Sequence, residues 1–156
     1  MTSVRLVGPV LVAAVLLLPT ACGGGDSDAD AGDPDGGGRS AAADTDTCVK
    51  DATEVTSIPD GYPSDFPLPA GTVVFHVEDR GQDGVIATGI TATAFDDVLQ
   101  AMNAANQAGF TVTSGETEDD DAEANWTGNG YIGRWAIKKS AHCPGETVVQ
   151  LLSKTD

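Results

Sequence analysis

The sequence predicts an α+β fold, an antiparallel sheet of about five to six strands in the order ββαββββ, covered on one face by a single helix. Three observations carry this expectation. Short β-branched or alternating segments recur between glycine-bearing turns. One segment alone places its apolar residues at helical spacing. Val, Ile, Leu, Met, Phe, Trp and Tyr are all absent from Gly23 to Thr47, which confines the core to a single domain over residues 48–156.

Taken in order, Ile58 to Pro69 holds four prolines in twelve residues, which biases the chain toward extended geometry. Phe66 and Leu68 alternate within it, so the segment reads as a lead-in packing onto its own sheet rather than as a polyproline ligand. Thr72 to Asp79 is β-branched and aromatic, Gly81-Gln82-Asp83-Gly84 marks a turn, and Val85 to Thr91 completes a hairpin. Phe95, Val98, Leu99, Met102 and Ala105 then recur at helical spacing, with Thr93 as the N-cap and Gly109 as the residue that ends the helix. Phe110 to Thr113 and Ala122 to Thr127 alternate as strands. Gly128-Asn129-Gly130 turns the chain into Tyr131 to Lys138, and a last strand, Val148 to Leu152, follows Pro144-Gly145.

The first 21 residues read as an address rather than as part of the fold. Arg5 gives a positive start and Leu6 to Leu18 an apolar run too short for an ordinary membrane-spanning helix. Small residues Thr20 and Ala21 then precede Cys22. The stretch Pro19-Thr20-Ala21-Cys22 resembles the lipobox of bacterial lipoproteins, although Pro19 stands where that pattern has an aliphatic residue. The resemblance implies cleavage before Cys22, acylation of its sulfur and a lipid anchor on the extracytoplasmic side of a cell membrane. Two acyl chains hold stably where one is marginal.

Residues 22–47 follow as an acidic Gly/Asp/Ala linker with seven aspartates, expected to be a disordered tether spanning roughly 25–30 Å or more. Asp26, Asp28 and Asp30 alternate like the first ligands of a calcium-binding EF-hand loop. Ala31 and Gly37 occupy the positions where that loop needs Gly and Glu, so the match fails.

With Cys22 acylated, Cys48 and Cys143 remain, an even count in an oxidising setting that predicts a disulfide between them. The folded part is also similar to a group of small exported actinobacterial proteins of unknown function, on Asp65-Phe-Pro-Leu-Pro-Ala-Gly-Thr72, Gly133-Arg134-Trp135 and Cys143-Pro144-Gly145. That resemblance implies an exported setting and no assigned activity.

The formal charge of −16 argues against nucleic acid, whose binding needs a basic footprint to displace counterions. No cofactor motif is present. His76 and His142 are the candidates for a hydrolase-like chemistry, but neither has a nucleophile motif beside it. Glu116, Glu118, Asp119, Asp120, Asp121 and Glu123 form an acidic run that could gather calcium, yet without regular ligand spacing it reads as a solvated loop. Trp126, Tyr131 and Trp135 read first as core, with an exposed binding surface as the alternative. Arg134 and Lys138, of opposite parity, would offer an anion or acidic-partner site on the other face. The leading expectation is a membrane-anchored module without catalysis that holds a protein partner or cell-envelope ligand. A hydrolase-like enzyme, a calcium-binding envelope protein and a structural spacer are the rivals.

Overall fold

The computed structural model describes Ala42 and residues 45–156. The signal segment, the lipobox with Cys22 and most of the expected linker lie outside the described residues. Six strands form one antiparallel sheet, β1 (Val73–Asp79), β2 (Val85–Thr91), β3 (Phe110–Thr117), β4 (Asp121–Gly128), β5 (Tyr131–Lys139) and β6 (Thr147–Thr155). A helix, α1 (Phe95–Asn103), runs into a 3-10 segment, Ala104–Ala108, between β2 and β3. The ββαββββ order therefore stands as the alternation and helical spacing imply. Among the described residues no helix is long and apolar enough to cross a membrane.

Strand order across the sheet is β1-β2-β6-β5-β4-β3. Four antiparallel pairs of consecutive strands build it locally, and β6 enters between β2 and β5, pairing antiparallel with both. Its sequence explains that place: Val148 and Val149, then Leu151 and Leu152, give it apolar side chains on both faces, as a central strand needs. Because β2 and β3 lie far apart in the sheet, the chain between them must cross its face. Helix α1 makes that crossing and buries Phe95, Val98 and Met102 on the way.

The main core lies between that face and its covers. Ala122, Ala124 and Trp126 of β4 alternate inward with Trp135 and Ile137 of β5 and Val149 and Leu151 of β6. The helix is not the sole cover. Phe66 of the proline-rich segment is buried, with its ring 4.9 Å from Trp126 and 5.0 Å from Phe110, and Tyr62 and Leu68 pack beside it. Burial there pushes the Tyr62 phenol up to about 12, since removal from water disfavours the phenolate.

Three local expectations change. The N-cap is Ala94, not Thr93, and the Thr93 hydroxyl donates to the Ala70 carbonyl at 3.4 Å, tying the helix start to the proline-rich segment. The acidic run is not one open loop. It contributes the ends of β3 and β4 and the turn between them, because Glu116 and Thr117 continue the ladder opposite Glu123 and Ala122. The expected linker boundary also moves back: Ala42 is buried at 2% exposure in a second cluster, and Asp46 lies 2.8 Å from His142.

The Asn129-Gly130 turn joins β4 to β5 with φ of 51° and 81°, the left-handed pair a two-residue hairpin loop requires. Gly109 likewise ends the helical segment at φ 89°.

Candidate functional site

The sheet's second face is the opposite of the first, since alternate residues must point there. One end of it is covered. Cys48 and Cys143 form the disulfide expected from their even count, with a Cα separation of 5.6 Å. Around it Ala42, Cys143, Ala136, Ile90 and Val148 make a small second core, with Val49, Ala52 and Phe75 packed against it. Phe75 reaches this cluster because a bulge interrupts β1 between Val74 and His76. The Glu146 carboxylate accepts the Val49 N–H at 2.8 Å, a second tie between the lead-in and the loop before β6.

Beyond that cluster neither core covers the face among the described residues. Ile86 and Leu152 stand directly opposite each other on β2 and β6, and Ile132 lies on β5 opposite Lys154. All three apolar side chains are half-buried and belong to neither core. Arg134 is opposite both Leu152 and Asn125, and it forms an ion pair with Glu123, the two side chains being 22% and 19% exposed. A hollow of about 490 Å³ sits here, bounded by Ile132, Leu152, Arg134, Thr127, Lys154 and Asp83 among others. An apolar floor with a few charged and hydroxyl groups at its rim is what small-ligand sites commonly show.

Its floor is unusually thin at Gly133. A Cβ there would lie 2.1 Å from the Leu152 carbonyl oxygen and 2.5 Å from the Trp126 ring, which lies against Gly133 from the core side. The tryptophans therefore support the face from behind. Trp126 and Trp135 are 2% and 1% exposed in the main core, so the surface pictured with Arg134 and Lys138 is not built from them. Lys138 does share the face with Arg134, opposite Asp121 and Val148.

Among the described residues the carboxylates of the acidic run do not converge as a set of three within reach of one ion. Among the described residues the set of thiol, imidazole and carboxylate groups close enough to share a metal is Cys48, Cys143 and Glu146, and its two sulfurs are bonded to each other. Glu123 is engaged by Arg134, and Asp120 by Lys139 at 3.1 Å. Lys139 also donates to the Asp119 carbonyl, so the lysine that organises the acidic turn is the neighbour of the one singled out by parity.

Of the two histidines, His76 is exposed on edge strand β1, opposite Thr88. His142 stands beside Asp46, while the nearby Ser140 hydroxyl accepts the Cys143 N–H at 3.0 Å. Among the described residues neither histidine hydrogen-bonds a hydroxyl or thiol that could serve as a nucleophile.

Sequence reasoning missed Ile86, Ile132, Leu152 and Lys154. A signal was present. The strands carrying the three apolar residues are apolar at both parities, and only part of the second face has a cover.

The Arg134–Glu123 pair fixes the wall of the hollow and should show in stability. Arg134→Met is expected to lower unfolding free energy by about 1–2 kcal/mol, because it strands a partly buried carboxylate, and Glu123→Leu added to it should restore most of the loss. Urea unfolding of the two variants measures both. Compared with known proteins, the chain matches no family model, no curated protein and no solved structure.

Proposed function

We propose that this chain is an exported lipoprotein, held at the extracytoplasmic side of a membrane through Cys22, whose domain binds an envelope ligand or protein partner without catalysis. The binding surface in this reading is the open sheet face. The observation that carries it is the strip of Ile86, Leu152 and Ile132, left outside both cores next to a partly buried ion pair. Single exposed apolar residues need no explanation, but Ile132 and Leu152 lining one hollow, with Ile86 directly opposite Leu152 on the next strand, mark an interaction site.

Export is supported separately. A disulfide that closes the domain suits an oxidising compartment, and the lipobox-like stretch precedes it in the same chain. The acidic surface leaves the lipid, rather than attraction to anionic headgroups, as the means of attachment.

Two measurements test the two halves. A mass spectrum of the membrane fraction should show an N-terminal Cys22 peptide carrying acyl mass, and an unmodified Cys22 there would remove the anchor. A photoreactive residue at Leu152 on intact cells should capture a defined molecule, whereas the same residue at Asp97, exposed on the helix, should not. Equal capture at both positions would remove the binding face.

A further inference from the structure

We propose that the hollow over Ile132 and Leu152 binds a small amphiphile with one anionic head, a carboxylate on a short apolar chain. The inference rests on the reading of the open face as the binding surface and adds the class of ligand.

Charge selects the head. The protein has eight basic residues against 24 acidic ones, yet Arg134, Lys138 and Lys154 all project from this one face. Arg134 is matched by Glu123. Lys154 is exposed at the rim, and among the described residues no carboxylate lies within ion-pair distance of it. It is thus the cation placed to meet an incoming anion, with the Thr127 hydroxyl on the same wall.

Asp83 also bounds the hollow and disfavours a second negative charge. A polyphosphate or a strongly acidic peptide would meet one open lysine and a protein of the same sign. A single carboxylate meets the lysine at contact distance, where its attraction outweighs distant acidic groups that salt screens beyond about 8 Å. A cationic head would meet Lys154, since Arg134 is already matched by Glu123.

The floor selects the body. Ile132 and Leu152 lie diagonally on neighbouring strands. The Arg134–Glu123 pair walls one side without a net charge to spend on a ligand. What remains is a shallow apolar trough leading away from a lysine, suited to an unbranched chain of several methylenes.

The test uses the mature chain from residue 22 carrying Cys22→Ser, which lacks both the apolar leader and the expected acylation site so that no detergent is needed, with isoleucine and leucine methyl groups labelled for NMR. Octanoate, hexanoate, 1-octanol and octyltrimethylammonium are the probes. Octanoate should shift the Ile132 and Leu152 methyl signals saturably below its micelle concentration. Complete burial is worth about fourfold per methylene, so octanoate should bind up to roughly fifteenfold tighter than hexanoate. Lys154→Gln, at an exposed position, should weaken octanoate severalfold and leave 1-octanol unchanged.

Absence of any saturable shift, or equal binding of octanoate and octyltrimethylammonium, overturns the proposal. If octanoate fails while a photoreactive residue at Leu152 still captures a protein, the ligand class falls and the binding face stands. If both fail, both readings fall.

Discussion

Replacing Gly133 by alanine is expected to destabilise the domain by at least about 3 kcal/mol, the upper range for forcing atoms into a packed interior. The added methyl would lie 2.1 Å from the carbonyl oxygen of Leu152 and 2.5 Å from the indole of Trp126. Neither neighbour has room to yield. The Leu152 carbonyl belongs to β6, which is held on both sides by β2 and β5, and the Trp126 ring is itself wedged against Phe66 and Phe110. For a domain of this size the loss corresponds to a fall in Tm of roughly 12–24 °C. Gly130→Ala is the control: its φ of 81° imposes strain, but nothing lies within 4 Å of the new methyl, so about 1 kcal/mol is expected. Thermal melts of the two variants should differ widely, and similar melts would show that the β5–β6 ladder can open to accept a side chain.

Removing the disulfide should cost more. Cys48 and Cys143 are 95 residues apart, and the chain-entropy model values a loop of that length at about 4–5 kcal/mol, with strain and residual unfolded structure lowering the realised figure. Cys143 is 4% exposed within the second cluster, so the suitable variant is Cys48→Ala with Cys143→Ala, which avoids burying a serine hydroxyl. The expected fall in Tm is roughly 15–30 °C. The Glu146 carboxylate bond to Val49 N–H still joins the same two segments, so the domain should remain folded at low temperature. The wild-type protein treated with a thiol reductant should match the double variant in urea midpoint. A midpoint unchanged from the oxidised protein would mean that the second core holds the lead-in without its covalent link.

How much of this was legible in the sequence depends on the range of the interactions. Hairpin turns are local, and Asn129-Gly130 announced its left-handed geometry directly. The inward parity of Trp135 and Ile137 was equally local, because alternate residues of a strand share a face. The disulfide followed from counting cysteines. Insertion of β6 between β2 and β5 did not follow, since pairing partners far apart in the chain leave no periodic trace, and only the two-sided apolar character of Val148 to Leu152 hinted at it. Thr93 had the chemistry of an N-cap, but the helix starts one residue later, and its hydroxyl accepts from the Thr91 hydroxyl while donating to the Ala70 carbonyl. The acidic run looked like a loop by composition. Its outer residues nevertheless extend β3 and β4, where cross-strand pairing and the Arg134 and Lys139 contacts override low strand propensity.

For the candidate site, the parity of Arg134 was correct and its neighbours were not. The hollow draws Ile132 from β5 and Leu152 and Lys154 from β6, with Ile86 of β2 opposite Leu152, and that adjacency exists only once β6 is in place. No reading of one segment at a time could assemble them.

The position of β6 also governs when the molecule can take shape. Until Thr147–Thr155 arrives, β1 and β2 form one piece of sheet and β3, β4 and β5 another, and the residues that meet across Val149 and Leu151 have no strand between them. The cysteine before β6 is likewise among the later parts of the domain to be made. A chain arranged in this way completes its sheet only when its last strand is in place.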